Sequence, residues 1–524
     1  HHIPVIIHVT ELTQPLGHST SGSHERYKSE ERLKWENDND CNKKFEDWIL
    51  KNKISTKKKI QTIKEEISLY VKDEKKLAWD HYQRPIKDSK KDLIQTINNL
   101  ERPLNIDEMN EMFSNLDDSN FSELIEICRR LIYKLDSSDL NDRDSLINWK
   151  NKYMDILTNK YSTDLYSISI DSLSSIPKVL PMYSDEEKFV DGRIIIRDNF
   201  DKLLENNSKI FIFGEDVGKI GDVNQGLEGL QKKHGINRVF DTSIRESTIV
   251  GQGIGMSMRG LRPIAEIQYL DYILYALQIL SDDLGTLTYR THGGQKAPLI
   301  VRTRGHRLEG IWHSGSPLGG MISFLRGVFI LTPRNMTKAA GFYNTLLDID
   351  QPAVVIEPLN GYRTKEQLPI NYGQFKTPIG EIEILKEGTD ITLVSYGSTF
   401  NIVINVAEEI EKYGISCEVI DVQSLIPFDI KKEISKSVIK TNRLLIIDED
   451  LPGGCSSYIL QELLERQDIY EHLDSKPSLL TAKDHRPPYG SDGDYASKPS
   501  FEDIFERIYS IMRESEPEKF KRLF

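Results

Sequence analysis

Glu246 stands at the head of FDTSIRESTIVGQGIGMSMRG, residues 240–260, a segment otherwise made mostly of small and apolar residues. A carboxylate there has two uses. It can brace the helix that follows. Ser243-Ile244-Arg245-Glu246 has the S-x-x-E spacing of a capping box, in which Ser243 caps the helix and Glu246 reaches back to its backbone. The helix dipole also favours a negative charge in the first turn. Alternatively, the carboxylate exchanges a proton with a ligand, because burial and the dipole push its proton affinity in opposite directions. Gly251, Gly253 and Gly255 do not form a dinucleotide motif, since GxGxxG needs glycine where Met256 or Met258 stands. Small residues at this density imply that another backbone packs very close, as at a helix crossing or a subunit interface.

Other residues with chemical potential lie where apolar runs end. Glu215 closes IFIFGE, where a carboxylate is either solvated, paired or used. Asp216, Arg302, Arg304 and Asp448 occupy comparable places. Tyr272, in EIQYLDY, opens an expected long helix at 270–285 and by itself reads as a core aromatic. His313, in IWHSGSP, sits in a loop with Gly310, Gly315 and Pro317, and His18 follows PVIIHV by a short loop. Imidazole donates and accepts protons near neutral pH, although a lone loop histidine is usually incidental.

The elements that would hold these residues change character along the chain. Residues 1–55 read as one strand, PVIIHV, followed by the polar loop TELTQPLGHSTSGSHERYKS. HHIPVIIHVTEL has no initiator Met and reads as a chain that begins inside a fold. From about 56 to 175 the pattern is helical and charged, with Ile60, Ile63, Ile67 and Val71, then Phe121, Leu124, Ile125, Cys128 and Ile132, at helical spacing. Its charge runs read as solvated faces of a connector. After about 184, SKIFIFGEDVG, RPIAEIQYL, APLIVRTRG, GVFILTP and PAVVIEPL read as strands buried on both faces, as in a parallel sheet covered by helices. TDITLVSYGS, SCEVIDVQSL and NRLLIIDED form a second series after about 376. The expected fold is α/β, two tandem doubly wound domains after a helical arm. In such sheets ligands gather at the carboxyl ends of the strands.

The bulk composition narrows the function classes. Of 524 residues, 38% are hydrophobic, enough for real cores. No run of 18 apolar residues occurs, which argues against a membrane protein. A net charge of −13 argues against a general binder of nucleic acid or anionic membranes. Cys41, Cys128, Cys417 and Cys455 lie far apart and form no CxxC, so neither a disulfide framework nor a zinc site is indicated and a reducing cytoplasm fits.

From about 184 to 515 the chain resembles the β-subunit of the decarboxylating, first component of 2-oxoacid dehydrogenase complexes, a thiamine diphosphate-dependent enzyme related to transketolase. FGEDVG, then FDTSIRESTIVGQGIGMSMRGLRPIAEIQYLDY, IWHSGSP, EVIDVQSLIPFD, LLIIDEDLPGG and DHRPPYG carry the resemblance in order. GHSTSGSHERYKS separately resembles the active-site loop of the α-subunit, and its HSTS is nearer the branched-chain than the pyruvate type. The chain therefore looks like an α–β fusion lacking the front of α.

The resemblance implies roles. Glu246 matches the glutamate that hydrogen-bonds a ring nitrogen of the cofactor's aminopyrimidine; the cofactor then acts as an electron sink for decarboxylation. Glu215 would lie beside the pyrimidine and Tyr272 would pack on its face. His313 would face the substrate and the arriving lipoyl group, and His18 the diphosphate and reaction centre. Ser19 matches a serine that mitochondrial relatives phosphorylate, and Arg26, Tyr27 and Lys28 would order the loop. Gln14 stands where the family usually has an arginine. The family's GDG…NN metal motif does not occur here, so the chain is expected to hold no metal, Mg²⁺ binding only with the missing α segment, and to be inactive alone.

The implied domains are an α-subunit remnant at 1–55, a helical connector at 56–183, a pyrimidine-binding domain at 184–375 and a transketolase-type carboxyl-terminal domain at 376–524. The implied partners are a lipoyl-bearing dihydrolipoyl acyltransferase and a second copy in a dimer, with no nucleic acid and no membrane. The rivals are another transketolase-like enzyme, such as transketolase or deoxyxylulose-phosphate synthase, and a non-catalytic interaction subunit.

Overall fold

In the computed structural model, which describes residues 5–14, 23–101, 113, 120–136, 138–305 and 317–524, the chain divides into two compact units, His1–Lys160 and Tyr161–Phe524. Among the described residues no helix is long and apolar enough to cross a membrane.

The first unit carries helices at Glu30–Asp38, Cys41–Lys51, Lys57–Asn98, Ser122–Lys134 and from Leu140 onward. Ser29, Asp40 and Thr56 start the first three by accepting backbone N–H bonds. The long helix Lys57–Asn98 contains Pro85 and changes character there. Beyond it, Ile86, Leu93 and Ile97 join Leu124, Cys128, Leu131, Leu146 and Trp149 in one buried core. Before it, Ile63, Ile67 and Val71 are helical as expected but exposed. The strand expected at PVIIHV is absent: residues 5–14 are irregular, and Ile6 is 96% exposed. A strand needs a neighbour for its N–H and C=O groups. No described residue of this unit lies in a strand to provide one.

The second unit is built on strands. In chain order they are β1 Phe189–Asp191, β2 Ile210–Gly214, β3 Val239–Asp241, β4 Arg262–Glu266, β5 Ile300–Gly305, β6 Phe329–Leu331 and β7 Ala353–Pro358. There follow β8 Lys365–Gln367, β9 Glu383–Lys386, β10 Ile391–Ser395, β11 Cys417–Asp421, β12 Ser424–Ile426, β13 Leu444–Ile447 and β14 Ser478–Leu480. Every run read as a strand after residue 184 forms one. A seven-stranded sheet has the order β12-β6-β7-β5-β4-β2-β3, and a five-stranded sheet the order β14-β13-β10-β11-β9. Strands β5, β7, β10, β11 and β13 are buried along their whole length, as parallel strands covered on both faces must be. β12 pairs antiparallel with β6, so the later stretch of chain lends a strand to the earlier sheet. One continuous core joins the two layers, running from Phe213, Ala265 and Val301 to Val394, Ile446 and Ile459.

Residues 161–183 differ from the expected connector. Past Ser162 the chain is irregular apart from a short 3-10 helix, Ile170–Ser175. It packs within the second unit: Leu173 is buried, Tyr166 tilts against Phe329 at 5.5 Å, and Ser167 N–H donates to Gln351 Oε1 at 2.8 Å.

The connectivity creates the place for a site. From β2 the chain moves outward to β3 at the sheet edge, then returns past β2 to β4 on its other side. All three strands are parallel, with Gly214 opposite both Asp241 and Glu266. Such a reversal leaves a crevice at the carboxyl ends. Gly214 is required there, because a Cβ would stand 2.6 Å from the Glu266 carbonyl oxygen.

Candidate functional site

Three of the expected residues come together at this crevice. Glu215 follows β2 directly, Glu246 opens the helix reached from β3, and Tyr272 lies in the 3-10 helix Leu270–Ala276 reached from β4. Burial, Asp216 and Glu246 all raise the proton affinity of Glu215 above the ordinary carboxylate range. Burial, then Tyr269, Glu215, Asp271 and Glu246, likewise raise the Tyr272 phenol. The two carboxylates and the phenol therefore share one electrostatic environment. Among the described residues no cation offsets the charge on Glu215.

The capping box does not form. The helix is Glu246–Met258 with Arg245 as its N-cap, and no side chain caps it. Thr242 N–H bonds to the Gly214 carbonyl at 2.9 Å, prolonging the strand pairing past β3. The Arg245 carbonyl then accepts from Thr248 and Ile249, each at 3.0 Å. The helix thus starts later than the S-x-x-E spacing assumes. Glu246 becomes its first residue, where its carboxylate profits from the dipole but is not spent on the backbone. Among the described residues the close backbone packing expected at the glycines is not found. A Cβ at Gly253 would meet only the Leu299 side chain, at 2.5 Å, and one at Gly251 or Gly255 would meet nothing within 4 Å.

The expected long helix at 270–285 is divided into the 3-10 stretch Leu270–Ala276 and a π-helix, Ile279–Gly285. Tyr269, which the sequence reading passed over, stands edge-on to Tyr272 with ring centres 6.0 Å apart. Its neighbour Gln268 donates Nε2–H to Asp216 Oδ2 at 3.3 Å, linking the loops after β4 and β2. His18, His313 and Ser19 lie outside the described residues. Of the flanking loop, Lys28 bonds both Glu36 carboxylate oxygens at 2.9 and 2.8 Å and the Gln14 carbonyl at 3.2 Å.

Arg302 and Arg304 are architectural. Both are fully buried. Arg302 grips Glu357 through two hydrogen bonds, at 2.9 and 3.1 Å, and meets Asp222 at 2.8 Å. Arg304 bonds Glu266 at 3.0 Å, the Tyr362 hydroxyl at 3.1 Å and the Gln268 carbonyl at 2.8 Å. Burial pushes Asp222 upward, but Arg302 and Arg304 outweigh it and hold it below the ordinary range. Burial wins at Glu266, which is raised. Asp448 is architectural too: it accepts from the Tyr396 hydroxyl at 2.7 Å and from the Asp450 and Ser456 N–H groups at 2.9 and 3.0 Å. Asp448, Asp450 and Cys455 form the one metal-like cluster among the described residues, and these bonds already occupy Asp448.

The raised proton affinity of Glu215 has a consequence for stability. The native state holds this proton more firmly than the unfolded chain, so the contribution is complete below the ordinary carboxylate range and is lost as pH rises through the raised native value. Glu215→Gln is expected to remove this slope. Thermal unfolding across a pH series should show the variant gaining on the parent toward higher pH.

The residue pattern agrees with known proteins. Residues 190–365 match the transketolase pyrimidine-binding domain and residues 380–498 the transketolase carboxyl-terminal domain. The pyruvate dehydrogenase E1 component subunit beta of Acholeplasma laidlawii is 32% identical over 292 residues, covering 55% of this chain and 88% of that protein. The 2-oxoisovalerate dehydrogenase subunit beta of Bacillus subtilis is 32% identical over 283 residues, covering 54% of this chain and 85% of that protein. The pyruvate dehydrogenase E1 component subunit beta of Staphylococcus epidermidis is 32% identical over 320 residues, covering 60% and 97%.

Proposed function

Because this chain belongs to the β-subunit family of the first component of 2-oxoacid dehydrogenase complexes, a transketolase-like, thiamine diphosphate-dependent family, we propose that it decarboxylates a 2-oxo acid and passes the acyl group to a lipoyl group on an acyltransferase partner. The observation that carries this reading is the convergence of Glu215, Glu246 and Tyr272 at the carboxyl ends of β2, β3 and β4, with no cation beside Glu215 among the described residues. That donor set fits an aminopyrimidine. The heterocycle offers basic nitrogen, a carboxyl pair that holds a proton can share it, and a phenol ring supplies a flat apolar surface.

Thiamine diphosphate, when bound, supplies the carbon nucleophile and electron sink that decarboxylation needs. Glu246 would hold a proton at the ring nitrogen, Glu215 would relay it, and Tyr272, with Tyr269 at its edge, would keep the ring in place. His313 serves the substrate and lipoyl side, and His18 the diphosphate side. The diphosphate and its Mg²⁺ fall to a diphosphate-binding domain carrying the GDG…NN motif. On this reading the 1–55 segment is the end of such a domain, 56–183 the connector, 184–375 the pyrimidine-binding domain and 376–524 the carboxyl-terminal domain.

The exposed surroundings of the site support assembly as a dimer. Ile244 is 73% exposed, Tyr275 72% and Leu274 55%, and a Cβ at Gly251 or Gly255 would meet nothing within 4 Å. A branched-chain 2-oxo acid leads over pyruvate because of the HSTS loop. The test is a panel of 2-oxo acids with an artificial electron acceptor and the diphosphate-binding domain present; turnover of aldose phosphates, or of nothing, refutes the reading. Isothermal titration of the 524-residue chain alone with Mg²⁺ and thiamine diphosphate is expected to show no tight binding, and micromolar affinity would overturn the division of the site.

A further inference from the structure

Asp216 places a second acidic side chain directly after Glu215 in the loop that leaves β2. Its backbone is left-handed, with φ at +58°. Glycine adopts that conformation without strain and asparagine readily, whereas aspartate adds a charge. The charge lies next to Glu215 in the chain, in a site already loaded with Glu246. It is also held on both sides. The Asp216 carbonyl accepts from Asp222 N–H at 2.8 Å, and Asp222 is fully buried against Arg302 at 2.8 Å. The Asp216 carboxylate accepts from Gln268 Nε2 at 3.3 Å, and the Gln268 carbonyl is bonded to buried Arg304 at 2.8 Å. Both supports thus rest on one buried ion cluster, which cannot shift without exposing or unpairing its charges.

We propose that Gln268 is a positioning residue, braced by Arg304, whose amide holds the Asp216 carboxylate in place next to Glu215 and so fixes the charge that Glu215 faces. A fixed negative charge behind Glu215 disfavours its ionised form, whereas a mobile side chain at 216 would turn to water and be screened. Among the described residues, the groups that face Glu215 are Asp216 on its own loop, Glu246 on the helix from β3, and Tyr272 on the loop from β4, with Tyr269 and Asp271 beside Tyr272. All are neutral or negative, so none of them compensates for the loss of Asp216.

The inference rests on the reading of Glu215 and Glu246 as the cofactor-facing pair, but its test needs no cofactor. The cofactor-free full chain is treated with a water-soluble carbodiimide and glycinamide across a pH series. The extent of coupling at Glu215 is then read by peptide mass spectrometry, since only the protonated carboxyl activates efficiently. In the parent, Glu215 should remain reactive to higher pH than exposed glutamates. Asp216→Asn, which suits the left-handed backbone, should move half-reaction to lower pH, and Gln268→Leu should move it the same way by less. The double variant should match Asp216→Asn, because Gln268 acts through Asp216. An unmoved profile in Asp216→Asn, or an extra shift from Gln268→Leu in the double variant, overturns the proposal. Thermal unfolding reports whether each variant folds, and if one does not, the direction of shift in the other decides. Failure of the unaltered complete enzyme to bind thiamine diphosphate would refute the cofactor reading without moving this profile.

Discussion

Glu246→Gln is expected to abolish nearly all 2-oxo acid turnover in the complete enzyme, by about 10²–10⁴-fold as for removal of a general acid or base, while the protein folds normally. The neutral amide is nearly the same shape and still fits the first position of the Glu246–Met258 helix. What it loses is the ability to hold and release a proton. Glu246 makes no cap in this structure, so the structural cost is confined to a weakened dipole interaction of about 0.3–1 kcal/mol. The two roles are therefore separable. A capping residue would cost stability and leave the rate intact, and an interaction module would lose nothing in either assay. Turnover with an artificial acceptor and thermal unfolding, measured on the same preparation, distinguish the outcomes. Retained turnover with a lowered melting temperature would remove Glu246 from the chemistry.

Arg302→Met is expected to be the most damaging single change to the fold. The guanidinium has no exposed surface and holds Glu357 and Asp222 at 2.9 and 2.8 Å, with a further bond to Glu266. Phe200 lies under it, 5.6 Å from ring centre to guanidinium carbon. Removing one partner from a buried ion cluster strands the others, typically at about 3–5 kcal/mol, against a total stability of about 5–15 kcal/mol for a domain. The deficit should narrow as pH falls. Asp222 is held below the ordinary range by Arg302 and Arg304, so its stabilising contribution in the parent disappears under acid, when the stranded carboxylates of the variant also take up protons. Denaturant unfolding of parent and variant at several pH values checks both the size and the trend. A small, pH-independent loss would mean that water reaches the cluster and solvates it.

Much of this protein is legible in its residues. Runs such as IFIFGE, RPIAEI and PAVVIE are apolar on both faces, and chains of that kind can satisfy their backbone only inside a covered parallel sheet. The polar residues at their ends mark the side where ligands gather. Glu215, Glu246 and Tyr272 could be selected from one dimension, since their motifs are local. PVIIHV shows the limit of the same reasoning: its composition suits a strand, but a strand forms only against a neighbour, and neighbours are not local.

What each selected residue does was decided in three dimensions. Arg302 and Arg304 lie within β5 and Asp448 follows β13 as Glu215 follows β2, yet they are consumed by buried partners far away in sequence, Glu357 and Asp222 for Arg302 and Tyr396 for Asp448. Ser243 and Glu246 have the spacing of a cap, but pairing of Thr242 with Gly214 delays the helix and leaves the glutamate unspent. The hold of Gln268 on Asp216 joins two loops that only the return of the chain past β2 brings side by side. Residue type sets which proton a side chain can carry; the charges and partners that folding places around it determine whether that proton is locked in the architecture or available for reaction.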